Sequence, residues 1–583
     1  MSDGSQQTDA TRPREPAPVL AKASVWVALR HRLFLALSIA SLVSNVGTWM
    51  QNIGAAWLMT SLAPSPLMVA LIQTASNLPI LLLALPAGAY ADILNRRWLL
   101  IACQSWMAIA AGVLGWLTIT GHMTAWLLLL FSLLMGIGVA MNLPVWQAIV
   151  PELVPRQDLP PAITLNSMNF NAARAIGPAL GGLVVAWAGA GLTFILNALS
   201  FLAVIGVLYG WKRPNLPSRL PNERVMGAIR AGVRYTRFSF ALRAVMWRTA
   251  GFVIGGSAIW AVIPLVARFR LGMGAAGFGI LVGCFGSGAI VTGMFLPRLN
   301  QSFSRNAIAM GTVAGMGVLM AILAAVRNVP LACLLMAMIG GTWTVSFSVL
   351  NVCAQLAVPN WVMGRALSIY NLVVQGGLAA GSLLWGGLAE RTGVPLAMML
   401  AGASMVASLL LALRYRLPPD VDPTMEPAPR RAMPQTALEI APDSGPVLVT
   451  VEYRIDPAQA AEFERAMEAM RVVRSRDGAT AWGLFFDTSD PTRFIEHFLV
   501  DSWIEHVRQH ERGIAGDLAV EARVLAFHVG PNPPLISHLL AARAGHETPK
   551  SAALNETSAG DGQSGQERML SGLNPKAGGS CAT

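Results

Sequence analysis

Polar and aromatic side chains that stand alone inside long apolar segments are the residues of this sequence best suited to hold a small molecule. Asn45, Trp49 and Asn52 are spaced four and three residues apart, which would place them on one face of a helix. Amides donate and accept hydrogen bonds, and an indole ring offers a flat apolar surface beside an N–H donor. Similar candidates are Trp146, Asn166, Asn169, Trp260, Trp343, Asn351, Gln355, Tyr370, Asn371 and Gln375.

Arg174 adds a cation to this set. A guanidinium placed in hydrocarbon costs at least ~2.5 kcal/mol unless it faces water or a partner. We therefore expect Arg174 to hold an anionic or oxygen-rich ligand or to close a gate. The amides keep a second explanation, because hydrogen bonds between helices, worth roughly 0.6 kcal/mol each, would also retain them inside apolar segments.

The elements that position these residues are long apolar helices. The chain has 583 residues, of which 54% are hydrophobic. Only 13% are charged, about half the ~25% of a soluble domain. Residues 33–91, 98–151 and 175–211 contain no Asp, Glu, Lys or Arg, and each run far exceeds the ~20 apolar residues that cross a bilayer. The composition excludes a soluble enzyme and a protein with a single membrane anchor.

Helix-breaking residues divide each run in two. The first run is interrupted at Pro64, Ser65 and Pro66, and similar breaks occur near residues 121 and 190. We therefore predict an all-α membrane protein with twelve transmembrane helices in two parallel six-helix bundles, at 31–211 and 245–417. The predicted spans are 34–61, 67–91, 98–119, 123–150, 162–187, 191–211, 245–267, 275–297, 306–326, 330–355, 364–389 and 394–415.

An internal repeat supports the division into two bundles. The repeat has an offset of 204 to 205 residues, which is typical of two bundles related by an axis along the membrane normal. Its first copy contains Val154-Pro155, Asn166 and Gly181-Gly182-Leu183, and its second copy contains Val358-Pro359, Asn371 and Gly386-Gly387-Leu388.

Charges outside the spans predict the orientation. Lys and Arg are concentrated in the 1–30 tail, in alternate loops and in the 212–244 linker, so the positive-inside rule places both termini in the cytoplasm. The linker is amphipathic, with Val225, Ile229 and Val233 every four residues. It either lies on the anionic inner leaflet or serves as a solvated connector. The net charge of +11 lies mainly in such short segments, so nucleic-acid binding is not expected.

A charged turn follows the second span. Gly88, Asp92, Arg96 and Arg97 have the spacing of the G-x-x-x-D-R-x-G-R-R motif between the second and third spans of the major facilitator superfamily, which this chain resembles. An isoleucine and Asn95 replace the motif's inner Arg and Gly, and Asn95 could supply the left-handed turn of that glycine. The resemblance implies that the four matching residues belong to a gate.

The fifth span carries a second motif. Gly177, Pro178, Gly181 and Gly182 resemble the G-P-x-x-G-G element of exporters in the same superfamily. Small residues let two helices approach closely, and a proline permits bending, so we expect this segment to act as hinge and seal. The two motifs together imply a secondary transporter that works by alternating access. ATP is not expected to be the direct energy source, because the sequence contains no GxxxxGK[ST] motif.

The last third of the chain differs in composition. After a Pro-rich linker at 418–445, residues 446–530 predict a soluble α+β domain of the ferredoxin-like type. It resembles the dimeric α+β barrel module of the antibiotic-biosynthesis monooxygenase type, which implies self-association. Residues 531–583 are predicted to be a disordered tail. The predicted elements are strand 447–455, helix 457–473, strands 479–487 and 493–500, helix 501–511 and strand 520–529.

Several side chains of this domain permit a catalytic or metal-binding interpretation. They lie on or near a short helix of mixed charge, however, and a solvated or dimer-facing surface explains them as well. We favour that second interpretation and predict no catalytic residue, metal or cofactor. The side chains concerned are Glu505, His506, His510, Glu511, Arg512 and His528.

The stretch from Trp503 to Arg512 is similar to the one that follows the twelve spans in facilitators called transmembrane secretion effectors. That group includes relatives of the enterobactin (catechol siderophore) exporter and of macrolide-efflux proteins. The resemblance implies export of a siderophore or drug-like compound across a bacterial inner membrane. Proton antiport is implied by the family alone. No residue of this sequence indicates it, because no carboxylate falls at mid-membrane. Two alternatives stay open: a membrane-tethered oxidising enzyme and a non-transporting sensor.

Overall fold

The structure is a computed structural model that describes residues 25–155, 158–211, 225–359, 361–418, 436 and 440–542. The parts of the predicted tails and linkers at 1–24, 212–224, 419–435, 437–439 and 543–583 therefore lie outside the described residues. The first half of the chain forms six long helices, each within a few residues of its predicted bounds. They are α1 Arg32–Leu62, α2 Pro66–Ile93, α3 Arg96–Ile119, α4 Ala125–Leu153, α5 Leu159–Ala188 and α6 Ala190–Gly210.

The second half repeats the arrangement after a shorter helix, α7, at Val225–Phe238. The first helix of this half begins at Phe240, inside the segment assigned to the linker, because Ser239 caps it by accepting a hydrogen bond from the Leu242 N–H at 3.3 Å. The helices are α8 Phe240–Leu265, α9 Ala275–Ser302, α10 Arg305–Ala325, α11 Val329–Leu356, α12 Met363–Thr392, α13 Val394–Ser408 and α14 Leu410–Arg414.

Among the described residues, eleven segments are long and apolar enough to cross a membrane. The predicted fifth span, α5, is a 30-residue helix in the predicted place, but it is not one of the eleven. Asn166, Asn169 and Asn171 in its first half and Arg174 at its middle lower its hydropathy. A helix with this composition requires protein or water along its polar side.

The turns that close the repeated helices have matching backbones. Gly189, between α5 and α6, has φ +79°, and Gly393, between α12 and α13, has φ +85°. These two glycines are 204 residues apart (393 − 189), which is the offset of the sequence repeat. Both angles lie in a region that favours glycine. The repeat therefore extends to the local conformation of equivalent turns.

Helix α7 packs against the protein through Tyr235, which is 1% exposed. Its hydroxyl donates a hydrogen bond to the carbonyl of Ala357 at 2.9 Å, and its ring meets Trp361 edge-on with centroids 6.0 Å apart. Burial raises the pKa of Tyr235 to about 12. The end of this helix is therefore packed against the protein on the side of Tyr235, whereas Val233 on another side is 52% exposed. The side chains of Val225 and Ile229 lie outside the described part of the helix.

The C-terminal region contains a four-stranded antiparallel sheet in the order β2-β3-β1-β4. The strands are β1 Val447–Arg454, β2 Ala481–Phe486, β3 Arg493–Val500 and β4 Leu535–Leu540, and the helices are α15 Ala460–Asp477, α16 Trp503–Glu511 and α17 Ala515–Leu525. Residues 462–478 and 512–526 group with the membrane-spanning helices in one compact unit, and the sheet with α16 belongs to a second.

The prediction of a last strand at 520–529 is wrong. Most of these residues belong to α17, whose start is stabilised by the Asp517 carboxylate accepting a hydrogen bond from the Ile514 N–H at 2.9 Å. The Ala, Glu and Arg residues of this segment favour a helix. The fourth strand instead lies at 535–540, inside the segment predicted to be a disordered tail, and pairs with β1 from Val447 to Glu452.

Candidate functional site

A cavity of about 330 Å³ lies within the helix assembly. Its lining includes the predicted residues Asn45, Trp49 and Asn52 of α1 together with Trp260 of α8. The shared helix face inferred from their spacing therefore does border an internal space. The other lining residues are Thr48, Gln51, Ala55, Ala56, Val69, Ile72, Gln73, Ser76, Asn77, Ile80, Leu114, Ser132, Met135, Gly136, Val139 and Phe170.

An aromatic cluster forms the wall of the cavity on the side of the second bundle. The rings of Trp49 and Trp260 have centroids 6.0 Å apart. Behind them, Trp260 packs on Phe285 at 5.0 Å and on Trp343 at 6.2 Å, both edge-on. Such contacts fix the indole planes and are worth about 0.5–1.5 kcal/mol each beyond burial. The predicted Trp343 therefore supports the wall from behind instead of lining the cavity.

A buried polar seam between α1 and α6 holds another wall in place. Asn197, which is fully buried, donates to the side-chain oxygen of Gln51 at 2.7 Å and accepts from the hydroxyls of Ser200 at 3.1 Å and Thr48 at 3.5 Å. Sequence analysis missed both Gln51 and Asn197. Asn197 could have been found as a lone amide in the apolar sixth span, because such amides are retained where they bond to another helix.

Two further amides of α2, Gln73 and Asn77, also line the cavity and were not predicted. The Asn77 side chain donates to the Gln73 carbonyl at 2.9 Å and accepts from the predicted Gln375 of α12 at 3.3 Å. Gln375 therefore reaches the site through a partner in the other bundle. In this case the predicted pathway residue makes an interhelical hydrogen bond, the alternative that sequence analysis left open for these amides.

The remaining predicted amides and aromatics are placed elsewhere. Trp146 donates to Asn166 at 3.4 Å, and Asn169 donates to the Ser38 carbonyl at 3.3 Å. On α11, Gln355 donates to Asn351 at 2.6 Å. None of these residues is among those that line the cavity. Tyr370, which is fully buried, and Asn371, which is exposed, also lie outside that lining.

Arg174 joins the two bundles near the middle of α5. Its guanidinium donates to the side-chain oxygen of Asn171 at 3.0 Å and to the hydroxyl of Thr344, on α11, at 3.4 Å. Arg174 is not a cavity-lining residue. Its contacts link α5 to α11, and the two roles predicted for it, holding a ligand and closing a gate, both stay predictions.

The two bundles are tied together at the end of the assembly that holds the α1–α2 loop, here called the Pro64 end. Arg268, just after α8, donates to the hydroxyls of Thr60 at 2.7 Å and Ser61 at 2.6 Å. The Glu390 carboxylate of α12 accepts from the Ser65 hydroxyl at 2.6 Å. Hydrogen bonds to charged groups are worth about 1.5–3 kcal/mol in favourable settings.

Close helix crossings extend this contact along α5 and α9 toward the middle of the two helices. Where α5 meets α9, a Cβ added to Gly182 would lie 2.7 Å from the Cα of Gly279, and one added to Gly286 would lie 2.6 Å from the Cα of Ala175. Only glycine allows backbones to approach this closely. Gly182 therefore lies at a close contact on the face of α5 toward α9, and the sealing role predicted for the fifth-span glycines stays a prediction.

The other glycines of this motif face α1. A Cβ at Gly177 would lie 2.6 Å from the Cβ of Trp49, and one at Gly181 would lie 2.8 Å from the Cα of Met50. Pro178 lies inside α5, and its carbonyl approaches Gly279. The small residues of α5 thus pack this helix closely against α1 and α9 at once.

The interface parts toward the opposite end, which carries the α2–α3 loop before Arg96 and is here called the Arg96 end. The face of α9 that meets α5 continues as Ile290 and Gly293: Ile290 is 42% exposed, and a Cβ at Gly293 would touch nothing within 4 Å. On the facing side of α5, Met168 is 47% exposed. The close packing of α5 on α9 is thus found toward the Pro64 end, whereas the continuing faces of both helices are exposed toward the Arg96 end.

The charged turn at the Arg96 end fixes neighbouring helices of the first bundle. Arg96 forms an ion pair with Glu152 of α4 at 2.7 Å, and Arg97 donates to the carbonyls of Leu208 at 2.9 Å and Tyr209 at 2.6 Å. Gly88 and Asp92 lie in the last turns of α2, and their side-chain positions lie outside the described part of the structure. The gating roles predicted for these two residues stay a prediction.

Asn95 in this turn does not take the left-handed conformation expected for it. Its φ is −66°, and its side chain accepts a hydrogen bond from the Arg97 N–H at 3.1 Å, so it caps α3. Asparagine is among the preferred residues at this position of a helix. The residue that departs from the family motif therefore has a local structural role.

The C-terminal histidines form a cluster that differs from the predicted one. The ring of His506 lies 4.7 Å from His538 and 5.1 Å from His510, whereas His528 is elsewhere, accepting from the Arg454 N–H at 3.0 Å. Burial lowers the pKa of His538. Across the described residues, no group of three or more potential ligands has a metal-binding arrangement.

Arg512, which sequence analysis grouped with these histidines, has different surroundings. It is 4% exposed, its guanidinium lies 4.7 Å from the ring of Trp361 in the α11–α12 loop, and it donates to the Asp477 carbonyl at 2.9 Å. Cation–π contacts of this kind are worth about 2 kcal/mol or more when desolvated. Arg512 thus holds a connecting loop of the helix assembly, and it is not part of the histidine cluster.

The sequence is similar to those of several known transport proteins. The chain is 24% identical over 263 residues to the staphyloferrin A transporter of Staphylococcus aureus, a match that covers 45% of this chain and 66% of that protein, just under two thirds. It is 23% identical over 383 residues to the multidrug efflux pump Tap of Mycolicibacterium fortuitum (62% and 90% covered). It is also 22% identical over 399 residues to the enterobactin exporter EntS of Citrobacter koseri (67% and 95%).

Among solved structures, a bacterial homologue of the human lysosomal transporter Spinster, in an inward-facing and unoccupied conformation, superposes with a TM-score of 0.52. The identity is 14%, and the match covers 66% of this chain and 95% of that one, a likeness that shows the fold alone. A family model described as "Transmembrane secretion effector" matches residues 23–545. Because that match spans most of the sequence, the chain belongs to the transmembrane secretion effector family and is a multi-pass transporter of the major facilitator superfamily.

Proposed function

We propose that this protein exports a small molecule, of siderophore or drug-like size, from the cytoplasm by alternating access. One observation carries the proposal: α5 and α9 pack closely toward the Pro64 end and are exposed on their continuing faces toward the Arg96 end, beside an internal cavity that the first bundle lines together with Trp260 of the second. An arrangement of this kind presents a binding site to one face of the membrane at a time. The efflux pump and the enterobactin exporter among the relatives support the outward direction.

Twelve spans complete the proposal, with α5 crossing the membrane beside the eleven more apolar helices. Its polar residues would face the interior, where Arg174 and the neighbouring amides meet α11 and α1. Both termini and the Arg96 end would be cytoplasmic, as the positive-inside rule requires. In this orientation the protein would lie in the inner membrane of a bacterial cell. The conformation described here would then receive its substrate from the cytoplasm.

The transport step follows from the contacts at each end. A substrate that enters from the Arg96 end would bind in the cavity beside the contacting pair Trp49 and Trp260, one from each bundle. Closure behind it would bring the exposed faces of α5 and α9 together. Release to the outside would then break the hydrogen bonds that Arg268 and Glu390 make at the Pro64 end. Arg174 would serve this movement as a link across the bundle interface.

The C-terminal region would be a pairing or regulatory module and not an enzyme. The order β2-β3-β1-β4 with all neighbours antiparallel is the order of a ferredoxin-like sheet, and modules of the monooxygenase type pair through such sheets. Self-association through this region is therefore proposed for the whole protein. Deleting 446–542 discriminates: if a stable truncated protein still exports, catalysis by this module is not required.

Accumulation assays in a bacterial strain that lacks other efflux pumps test the export proposal. We expect the full chain to lower the retention of at least one compound in a panel of siderophores and drugs. The matched control is a Trp260→Ala variant at equal membrane abundance, which should restore retention. Unchanged retention of every compound by the wild-type protein would contradict export and favour a sensor.

A further inference from the structure

The described lining of the cavity carries no charged side chain. None of the twenty described residues that line it is Asp, Glu, Lys, Arg or His. Five of them are amides, three carry hydroxyls, and three are aromatic. The nearby cation, Arg174, donates to Asn171 and Thr344 and is not part of the lining. The site therefore offers hydrogen bonds and ring surfaces but no counter-ion.

A site of this kind discriminates by net charge. Moving an ion from water into a cavity with no opposite charge costs several kcal/mol, because neutral dipoles replace only part of its hydration. A neutral polar group costs much less when it finds a hydrogen-bonding partner. The lining therefore selects against carboxylates and ammonium groups and accepts uncharged amides, hydroxyls and phenols.

Some of the lining groups are already committed within the protein. The hydroxyls of Ser76 and Ser132 donate to carbonyls of their own helices, at 2.9 Å and 2.8 Å, so they can serve a ligand only as acceptors. The Gln51 oxygen accepts from Asn197 at 2.7 Å, which leaves the Gln51 NH₂ group to donate. The ligand must therefore supply both a donor and an acceptor.

Two amides are uncommitted in the part of the chain that the structure describes. Asn52 and Gln73 have no side-chain hydrogen bond to any described residue, although both line the cavity. An amide with no protein partner beside an open space is the group that a ligand can bond most favourably, because no existing bond must be broken. Asn52 and Gln73 are therefore the residues whose chemistry the ligand meets first.

The aromatic lining specifies a flat group. Trp49 of the first bundle and Trp260 of the second lie 6.0 Å apart between centroids, tilted by 41°. Phe170, which is 48% exposed, is the third lining aromatic. A planar ring that packs on both indoles would contact both bundles at once. Its binding energy would therefore depend on the relative position of the two bundles. The volume of about 330 Å³ is at the lower end of the ~300–1,000 Å³ range of drug-sized sites.

We propose that this transporter carries an uncharged, ring-containing compound that has hydrogen-bond donors and acceptors, and that Asn52, Gln73, Trp49 and Trp260 determine this specificity. The inference rests on the export proposed above and names its substrate class. An acidic compound would be carried in its protonated or otherwise neutralised form. Arg174 has no direct role in recognising the ligand.

Three probes that share one ring system test the charge selectivity: N-methyl-2-naphthamide, 2-naphthoate and 2-naphthyltrimethylammonium. Their energised transport is measured at pH 7.5 in everted membrane vesicles that contain the full chain, against vesicles without it. We expect the neutral amide to be taken up at least tenfold faster than either ion, since one unpaired charge exceeds the 1.4 kcal/mol that a tenfold preference requires. Faster transport of either ion, or no transport of any probe, would overturn the proposal.

Two variants test the named residues. Asn52→Asp, nearly identical in shape, should bring the cationic probe to a rate at least equal to that of the amide. Trp49→Leu should raise the half-saturating concentration of the amide roughly threefold to tenfold, as expected for the loss of one ring contact. Trp187→Leu is the matched control, because Trp187 is 85% exposed and lies outside the cavity lining. Equal selectivity in wild type and Asn52→Asp would also overturn the proposal.

These outcomes separate the inference from the function on which it rests. If the accumulation panel shows export of compounds that are all charged, export is supported and the uncharged substrate class is wrong. If no compound in that panel is exported, export itself fails, and the specificity proposal fails with it.

Discussion

The close approach of α5 and α9 at Gly279 allows a test of the sealed Pro64 end. In Gly279→Ala, the added Cβ would lie 2.6 Å from the carbonyl oxygen of Pro178 and 2.7 Å from the Cα of Gly182. Both are backbone atoms that cannot rotate away. Ordinary contact begins at 3.4 Å, so the two helices must separate by roughly 0.7 Å at this crossing, a small but real overpacking.

The size of the effect follows from the usual cost of overpacking, about 1–3 kcal/mol. That cost destabilises the conformation in which α5 and α9 are packed at the Pro64 end. The conformation that is open at this end does not bear it, because the two helices are apart there. The ratio of the two states should therefore shift about 5- to 150-fold toward opening at the Pro64 end. Export should fall as well, because the transporter returns less readily to the state that loads substrate.

Thiol labelling in intact cells measures this shift. In a cysteine-free background, Ala55→Cys places a reporter on the cavity wall, where Ala55 is 6% exposed. The rate of reaction with a membrane-impermeant maleimide should rise with Gly279→Ala by the factor given above. Gly293→Ala, on the same helix but with nothing within 4 Å of the new Cβ, should leave it unchanged. Equal rates in the two alanine variants would refute the reasoning.

Three further predictions concern other parts of the chain. Arg174→Ala should lower the export rate about 10- to 150-fold at unchanged membrane abundance, because a charge-assisted link between bundles worth roughly 1.5–3 kcal/mol is lost; a wild-type efflux rate per transporter would contradict this role. Asn95→Ala should destabilise the purified protein by about 1 kcal/mol through loss of the α3 cap, whereas Asn95→Gly should cost only a few tenths, which thermal unfolding can compare. Ser489→Ala should make the turn before β3 sensitive to protease at higher pH than in wild type. Hydrogen bonds from Ser489, and next those from Arg493, hold the pKa of Asp487 at about 2. The Asp487 carboxylate therefore stabilises the turn above pH ~4 and ceases to do so as the pH falls toward 2. Pulse proteolysis of the full chain between pH 5 and 2 should show an unchanged onset if those hydrogen bonds do not stabilise the turn.

The helices could be predicted from the sequence because the bilayer imposes a length and a composition on each of them. Charge-free runs and helix breakers located the spans, and the ends agree to within a few residues where a cap such as Ser65 or Asn95 is present. The sheet was harder, since the strand at 535–540 carries little alternation and its partner lies 88 residues earlier in the chain (535 − 447). A short apolar segment of this kind becomes a strand through pairing that local sequence does not reveal.

The cavity could be predicted only in part. Asn45, Trp49 and Asn52 were found because the helix period sorts residues of one helix by face. The period does not say which neighbour each face meets, and for this reason Asn169 was predicted to line the pathway although it bonds to a carbonyl of α1. Gln51 was missed because it lies next to Asn52 in sequence on a different face, where Asn197 of α6 holds it.

The contact between Arg512 and Trp361 has a consequence for biosynthesis. The two residues are 151 positions apart (512 − 361), and a ribosome adding about 5–20 residues per second takes several seconds to a half-minute over that distance. Trp361 and the membrane helices that follow it are therefore synthesised, and reach the insertion machinery, before Arg512 is added. A chain that stops before residue 512, through a nonsense codon or a protease, leaves that indole without the cation that covers it in the finished protein.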